Sequence, residues 1–171
     1  MMKKFLFFIL LALSFNVSKS MAAAPQVLGE YGDWVAYYYR DNAGAVCYMA
    51  STPKKDEGKY TKRGDIYAVI THRPNENSFN VVNFNAGYNF KKDTKVEVKI
   101  GAKTFDKLFT SGDKAWTTNE KTDKEMVEAM KRGSRMVVHG TSSKGTKTKD
   151  TYSLNGFSNA YRAISNKCKA K

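Results

Sequence analysis

Residues 140–148, Gly140-Thr141-Ser142-Ser143-Lys144-Gly145-Thr146-Lys147-Thr148, carry the types nearest to a phosphate cradle: glycines, hydroxyls and lysines in one short run. A Walker A loop needs Gly-Lys-Ser/Thr, and here the lysine of Gly145-Thr146-Lys147 comes one place late. Such a loop also lies between a strand and a helix N-terminus, whereas this run reads as strand, turn and strand. It is expected to be a hairpin turn. Neither Ser142 nor Ser143 stands in G-x-S-x-G, which leaves a nucleophile elbow unsupported. His72 and His139 are the only histidines, fall on different predicted strands and lack the further ligands that a metal needs. No metal and no other cofactor is expected. Asp33 beside Trp34, and Asp106 and Asp113 near Trp116, place carboxylates beside indoles as sugar clefts do, so a glycan-acting enzyme is one reading. Burial of Trp34 and Trp116 accounts for the same residues, and a non-enzymatic protein is the preferred expectation.

Lysine is the other abundant chemical group. Lys54, Lys55, Lys59, Lys62 and Arg63 cluster in one stretch, Lys91, Lys92 and Lys95 in a second, and Lys144, Lys147 and Lys149 in the hairpin; Lys167, Lys169 and Lys171 end the chain. Loops gathered at one end of a sheet would attract polyanions such as lipopolysaccharide, anionic lipid or host glycans. The first and third clusters, with Arg63, are the candidate contacts. Arginine, the better bidentate phosphate ligand, is scarce at six against 23 lysines. A diffuse lysine surface that only solubilises is the competing reading, and nucleic acid is not an expected partner of an exported chain.

Export is read from the first residues. Met1-Met2-Lys3-Lys4 precedes the apolar run 5–15 (FLFFILLALSF) and then a small and polar stretch to Ala24, the layout of a signal peptide over residues 1–24 with cleavage at about 22–24. A helix of about 11 apolar residues rises only ~17 Å against a hydrocarbon core of ~30 Å, so no transmembrane anchor is expected after cleavage. Losing Lys3, Lys4 and Lys19 lowers the formal charge from +13 to +10. Cys47 and Cys168 are the only cysteines, and outside the reducing cytoplasm a bridge between them is the expected state. On chain-entropy grounds it is worth roughly 4–5 kcal/mol, because it closes most of the mature chain into a loop. Two separate reactive thiols are the alternative, without a C-x-x-C spacing to support them.

The elements that must carry these residues are mostly strands. Residues 31–39 (YGDWVAYYY) and 45–50 (AVCYMA) flank a polar loop at 40–44, as in a hairpin. Tyr37, Tyr38 and Tyr39 point alternately, so two of them share a side. Residues 52–64 read as a charged connection, followed by strands at 65–72 (DIYAVITH, ended by Pro74), 78–85 (SFNVVNFN) and 95–100 (KVEVKI). Shorter strands are expected at 103–109 and 114–117. Thr122-Asp123-Lys124-Glu125 has the form of a capping box, with Met126, Val127 and Met130 behind it and Gly133 at the stop, which predicts a helix at about 123–132. Strands at 135–141 and 150–155 follow, and Phe157, Ala160, Tyr161 and Ile164 recur at helical spacing with Cys168 just beyond. In 171 residues with 42% apolar content this makes residues 25–171 one mainly β domain, an antiparallel sandwich or barrel with one or two short peripheral helices.

Taken together, Tyr31-Gly32-Asp33-Trp34, Cys47-Tyr48-Met49-Ala50, Ile70-Thr71-His72-Arg73-Pro74, Ala115-Trp116 and the block from Gly140-Thr141-Ser142-Ser143-Lys144-Gly145-Thr146 through Asp150-Thr151-Tyr152-Ser153-Leu154 to Gly156-Phe157 resemble the invasion-associated locus B family. The resemblance spans nearly the whole mature chain in order. It implies an exported bacterial protein of a family found mainly in alphaproteobacteria and named for host-cell invasion, and it brings no catalytic residues. Some members carry another Cys soon after the Gly-Asp-Trp segment, where this chain has Tyr37 to Tyr39, so a second bridge of that type is not expected. The implied role is that of a binding or interaction domain in the periplasm, at the cell surface or secreted, with a host-cell surface component or an anionic envelope polymer as partner. A periplasmic envelope-maintenance protein is the alternative.

Overall fold

The structure, a computed structural model, describes residues 24–170. The leader reading therefore lies outside the described residues except for Ala24, as does Lys171. Among the described residues twelve strands form two antiparallel sheets. The larger has β1 (Gln26–Tyr31), β2 (Trp34–Asp41), β3 (Gly44–Ser51), β5 (Tyr67–Arg73), β6 (Ser78–Asn85), β10 (Lys114–Thr117) and β9 (Leu108–Ser111) side by side in that order. The smaller runs β4 (Lys55–Gly58), β12 (Lys147–Ser153), β11 (Arg135–Thr141), β7 (Glu97–Ile100) and β8 (Lys103–Phe105). Two helices, α1 (Glu120–Arg132) and α2 (Phe157–Cys168), complete a sandwich-like fold whose sheets stay open.

Side chains alternate across a strand, so each strand of the large sheet has an inner and an outer set. Trp34, Ala36, Cys47, Met49, Ala68, Ile70, His72, Val82, Phe84 and Ala115 point inward and are buried. Both helices lie on this side. The α2 stripe of Phe157, Ala160, Ile164 and Cys168 is buried against β1, β2, β3 and β5, and Met126, Val127 and Met130 of α1 are buried in the same cluster. Val98, Ile100, Met136, Val138 and Tyr152 of the smaller sheet belong to that cluster too, which makes the core continuous between the sheets.

The two ends of the chain are held by backbone contact. Trp34 donates from Nε1 to Ser153 O at 3.0 Å, and Asp33 N donates to Asn155 O at 3.1 Å. The Trp34 ring meets Phe157 edge to face at 4.9 Å. Gly156 has φ +85°, and a Cβ there would sit 1.8 Å from Tyr31 O, so only glycine permits this approach. A disulfide joins Cys47 on β3 to Cys168 at the end of α2, 121 positions apart.

Several local expectations change, and the strand expected at 103–109 divides into β8 and β9, which lie in different sheets. The first hairpin is tighter than 40–44: Asp41 Oδ1 accepts the Ala43 and Gly44 N–H groups, closing a turn of Asn42 and Ala43 alone. The stretch 52–64 contains the edge strand β4, whose backbone pairs with β12 while all four residues are exposed, so hydrophobic alternation could not reveal it. The α1 cap is Asn119, whose Oδ1 accepts Thr122 N at 2.9 Å; Thr122 and Asp123 lie inside the first turn. Asp123 instead turns inward and accepts from Val82 N at 2.7 Å and Thr117 Oγ1 at 2.6 Å, fastening α1 to the large sheet. Cys168 is the last residue of α2 rather than a residue beyond it.

Candidate functional site

Among the described residues no helix lies on the outer face of the large sheet. Register places Val27, Tyr37 and Tyr39, then Val46, Tyr48 and Ala50, then Tyr67, Val69, Thr71 and Arg73, then Val81 and Asn83, and finally Trp116 and Phe109, on this one side across seven strands. Most of these side chains are half-buried by their neighbours alone, and Val27 and Phe109 are each 52% exposed. The middle of the face forms a shallow depression of about 770 Å³ lined by Pro25 and by residues of β2, β3, β5, β6 and β10. Its rings are ordered by one another. Tyr37 stacks on Tyr48 at 4.8 Å, Tyr39 meets Tyr48 edge to face at 6.0 Å, and Phe109 stacks on Trp116 at 5.4 Å. At the rim Arg73 pairs with Asp41 and Glu76, at 2.8 and 3.2 Å, which holds the Asp41 carboxyl below its usual range. Trp116 therefore belongs to an open surface, contrary to the expectation of a buried indole; Trp34 is the buried one. Alternation revealed the Tyr37 and Tyr39 side, but only strand order shows that six further strands extend it.

The three carboxylates of the enzyme reading are separated. Asp33 lies in the β1–β2 turn against Lys54, which, with Ser153, holds its carboxyl below the usual range. Asp106 pairs with Lys95 between β8 and β9, and Asp113 with Lys114 in the β9–β10 turn. Each faces its own lysine. Among the described residues no group of three His, Cys, Asp or Glu side chains converges as a metal site would require.

His72 does meet a serine, but in the wrong tautomer for catalysis. Its Nδ1 accepts Asn80 N–H at 3.0 Å, which leaves the ring proton on Nε2, directed at Ser165 Oγ 3.2 Å away. An imidazole that takes a serine proton needs a lone pair there. His72 is fully buried, and this desolvation holds its pKa down to about 4 from an ordinary 6.5. The unfolded chain therefore binds the proton first as pH falls. Unfolding free energy is expected to be level with respect to this group above about pH 7 and to drop between 6.5 and 4 by on the order of 3 kcal/mol. Urea titrations across that range check it, and His72→Gln removes that part of the slope.

The basic clusters divide. Lys59, Lys62 and Lys144 line one pocket, and Lys147 adjoins it. Lys54 pairs with Asp33, Lys149 pairs with Glu57 at 3.1 Å, and Lys55 lies on the exposed strand β4. Arg63 is turned inward. Its guanidinium grips Asp150 through two bonds of 2.6 Å, its Nε donates to Ala86 O at 2.7 Å, and it lies over the Tyr60 and Tyr88 rings.

The Gly-Thr-Ser-Ser-Lys-Gly-Thr segment forms the β11–β12 turn, and the segments around Trp34 and Phe157 close on each other, so the residues that carry the family resemblance build one connected frame. The family model described as Invasion associated locus B (IalB) protein matches residues 34–165. The chain belongs to the invasion-associated locus B family. No curated protein and no solved structure matches it. Membership in this exported family and the Cys47–Cys168 disulfide point to an extracytoplasmic protein. No helix among the described residues is long and apolar enough to cross a membrane.

Proposed function

We propose that this member of the invasion-associated locus B family is a non-enzymatic interaction domain, and that the open face of its large sheet docks a protein at the surface of a host cell. The observation that carries this is the uncovered face itself: an apolar centre of Val46, Val69, Val81 and Ala50 bordered by Tyr37, Tyr39, Tyr48, Tyr67 and Trp116. That composition, with an arginine at the rim, is the one enriched in the centres of protein interfaces. A sugar platform needs free ring faces, whereas Tyr37 and Tyr48, and Phe109 and Trp116, already stack on each other. The separated carboxylates and the His72 tautomer support a role without turnover.

Binding of the oxidised protein to intact host cells and to bacterial envelope fractions across a salt series tests this. Saturable host-cell binding that persists at high salt and falls at least tenfold in Trp116→Ala and Tyr48→Ala is expected, since central aromatic anchors contribute about 2 kcal/mol or more each. Binding that disappears with salt and ignores both substitutions, or that occurs on envelope fractions only, contradicts it.

A further inference from the structure

We infer that the pocket between the 59–63 segment and the β11–β12 turn is a separate binding site for an anionic saccharide, a sugar bearing phosphate or sulfate. The cavity holds about 350 Å³ and is lined by Lys59, Lys62 and Lys144 together with Thr61, Ser143 and Thr146. Among the described residues no carboxylate pairs with Lys59, Lys62, Lys144 or the adjoining Lys147, so these four positive charges are uncompensated. Ammonium groups act on phosphate or sulfate as point charges, and the hydroxyls supply the short hydrogen bonds that orient such a group. Tyr60, which lines the pocket, donates from Oη to Asp56 Oδ2 at 2.8 Å, so one carboxylate stands behind that wall.

The lysines stand on a fixed frame. The buried Arg63–Asp150 pair forms the floor with its charges mutually cancelled, and Tyr88 Oη meets Thr148 Oγ1 at 2.6 Å beside it. The turn that bears Lys144 is tied twice: Thr146 N donates to Ser142 Oγ at 3.1 Å, and Ser143 N donates to Asn89 O at 2.7 Å. A Cβ on Gly140 would lie 2.5 Å from Tyr88 Oη, so a glycine there lets the tyrosine close the wall. Lys91 and Lys92 border a neighbouring depression that shares Ser143, and extend the positive field along a polymer. A saccharide of several units suits this better than a lone ion.

Titration calorimetry at about 150 mM salt, below which exposed charges are weakly screened, tests the site with four probes. They are a short sulfated oligosaccharide of host type, a phosphorylated core oligosaccharide of envelope type, inorganic phosphate and neutral dextran. Expected is saturable binding of at least one anionic oligosaccharide, weaker binding of phosphate and none of dextran; the tighter oligosaccharide identifies the source. The triple variant Lys59→Ala, Lys62→Ala, Lys144→Ala is expected to lose tenfold or more in affinity. A charge-matched control, Lys103→Ala, Lys121→Ala, Lys124→Ala, on β8 and α1, is expected to lose less than threefold. All six lysines are exposed, so both proteins are expected to unfold at the wild-type temperature, and Lys144→Ala alone provides a milder check. Equal losses in the two triples, equal binding of dextran, or no binding of either anionic oligosaccharide overturns the inference.

Discussion

Replacing Arg63 with methionine is expected to lower the unfolding free energy by about 3–5 kcal/mol, read from urea denaturation of the oxidised protein. The Arg63 side chain is 3% exposed and that of Asp150 5%, so the substitution leaves a buried carboxylate with no counter-charge. Desolvation pushes the Asp150 carboxyl above its usual range, and the Arg63 guanidinium opposes that shift. The bond to Ala86 O and the contacts with Tyr60 and Tyr88 are lost as well. Asp150→Leu should cost a similar amount by stranding the arginine. The double variant should recover much of both losses, because an apolar pair in this place has no charge left to desolvate. Additive losses would show that the two side chains stabilise the fold independently.

Cys47→Ser with Cys168→Ser is expected to cost up to about 5 kcal/mol, the loop-closure entropy of a bridge spanning most of the chain. That is a large share of the 5–15 kcal/mol that holds an ordinary domain, so the reduced protein should melt at a clearly lower temperature, and its α2 should exchange amide hydrogens first. Without the bridge, α2 keeps its stripe of Phe157, Ala160 and Ile164 against the large sheet and the side-chain bonds of Ser165 with His72 and of Tyr161 with Asn80. A melting temperature indifferent to reductant would contradict this.

Much of the fold was legible because its strands alternate. Residues 78–85 and 135–141 match β6 and β11 at both ends, since each has one wet and one dry face or a fully apolar core position every second residue. Strand β4 was not, since an edge strand of Lys-Asp-Glu-Gly takes its stability from backbone pairing with β12 and shows no apolar side. The cap of α1 was misplaced because Asn119 and Thr122 are both good capping types three positions apart, and only the direction of the Asn119 side chain decides between them. Pairing Cys47 with Cys168 required no geometry, as no other cysteine was available.

The candidate surfaces were legible in unequal measure. The turn at 140–148 and the lysines were visible as types, and the fold then separated them: Lys59, Lys62 and Lys144 meet, while Arg63, indistinguishable from them in sequence, is locked in the interior. The open aromatic face was hidden because it draws one to four side chains from each of seven strands, among them pairs as distant as Tyr37 and Trp116. Strand order alone assembles it. Of the segments that carry the family resemblance, some are joints of the frame, with Gly156 against Tyr31 and Trp34 against Phe157, while Tyr48, Trp116 and Lys144 lie on the two candidate surfaces.

The two tryptophans allow one direct measurement of the proposed docking face. Trp34 is wholly buried, while Trp116 lies on the open sheet, so acrylamide quenching of the native protein reports on Trp116. Titrated with host-cell surface protein to saturation, Trp116 is expected to become shielded, with its quenching constant falling to near that of Trp34. Trp116 remaining as quenchable at saturation as in the free protein would contradict the account, because the bound partner would then lie elsewhere on the molecule.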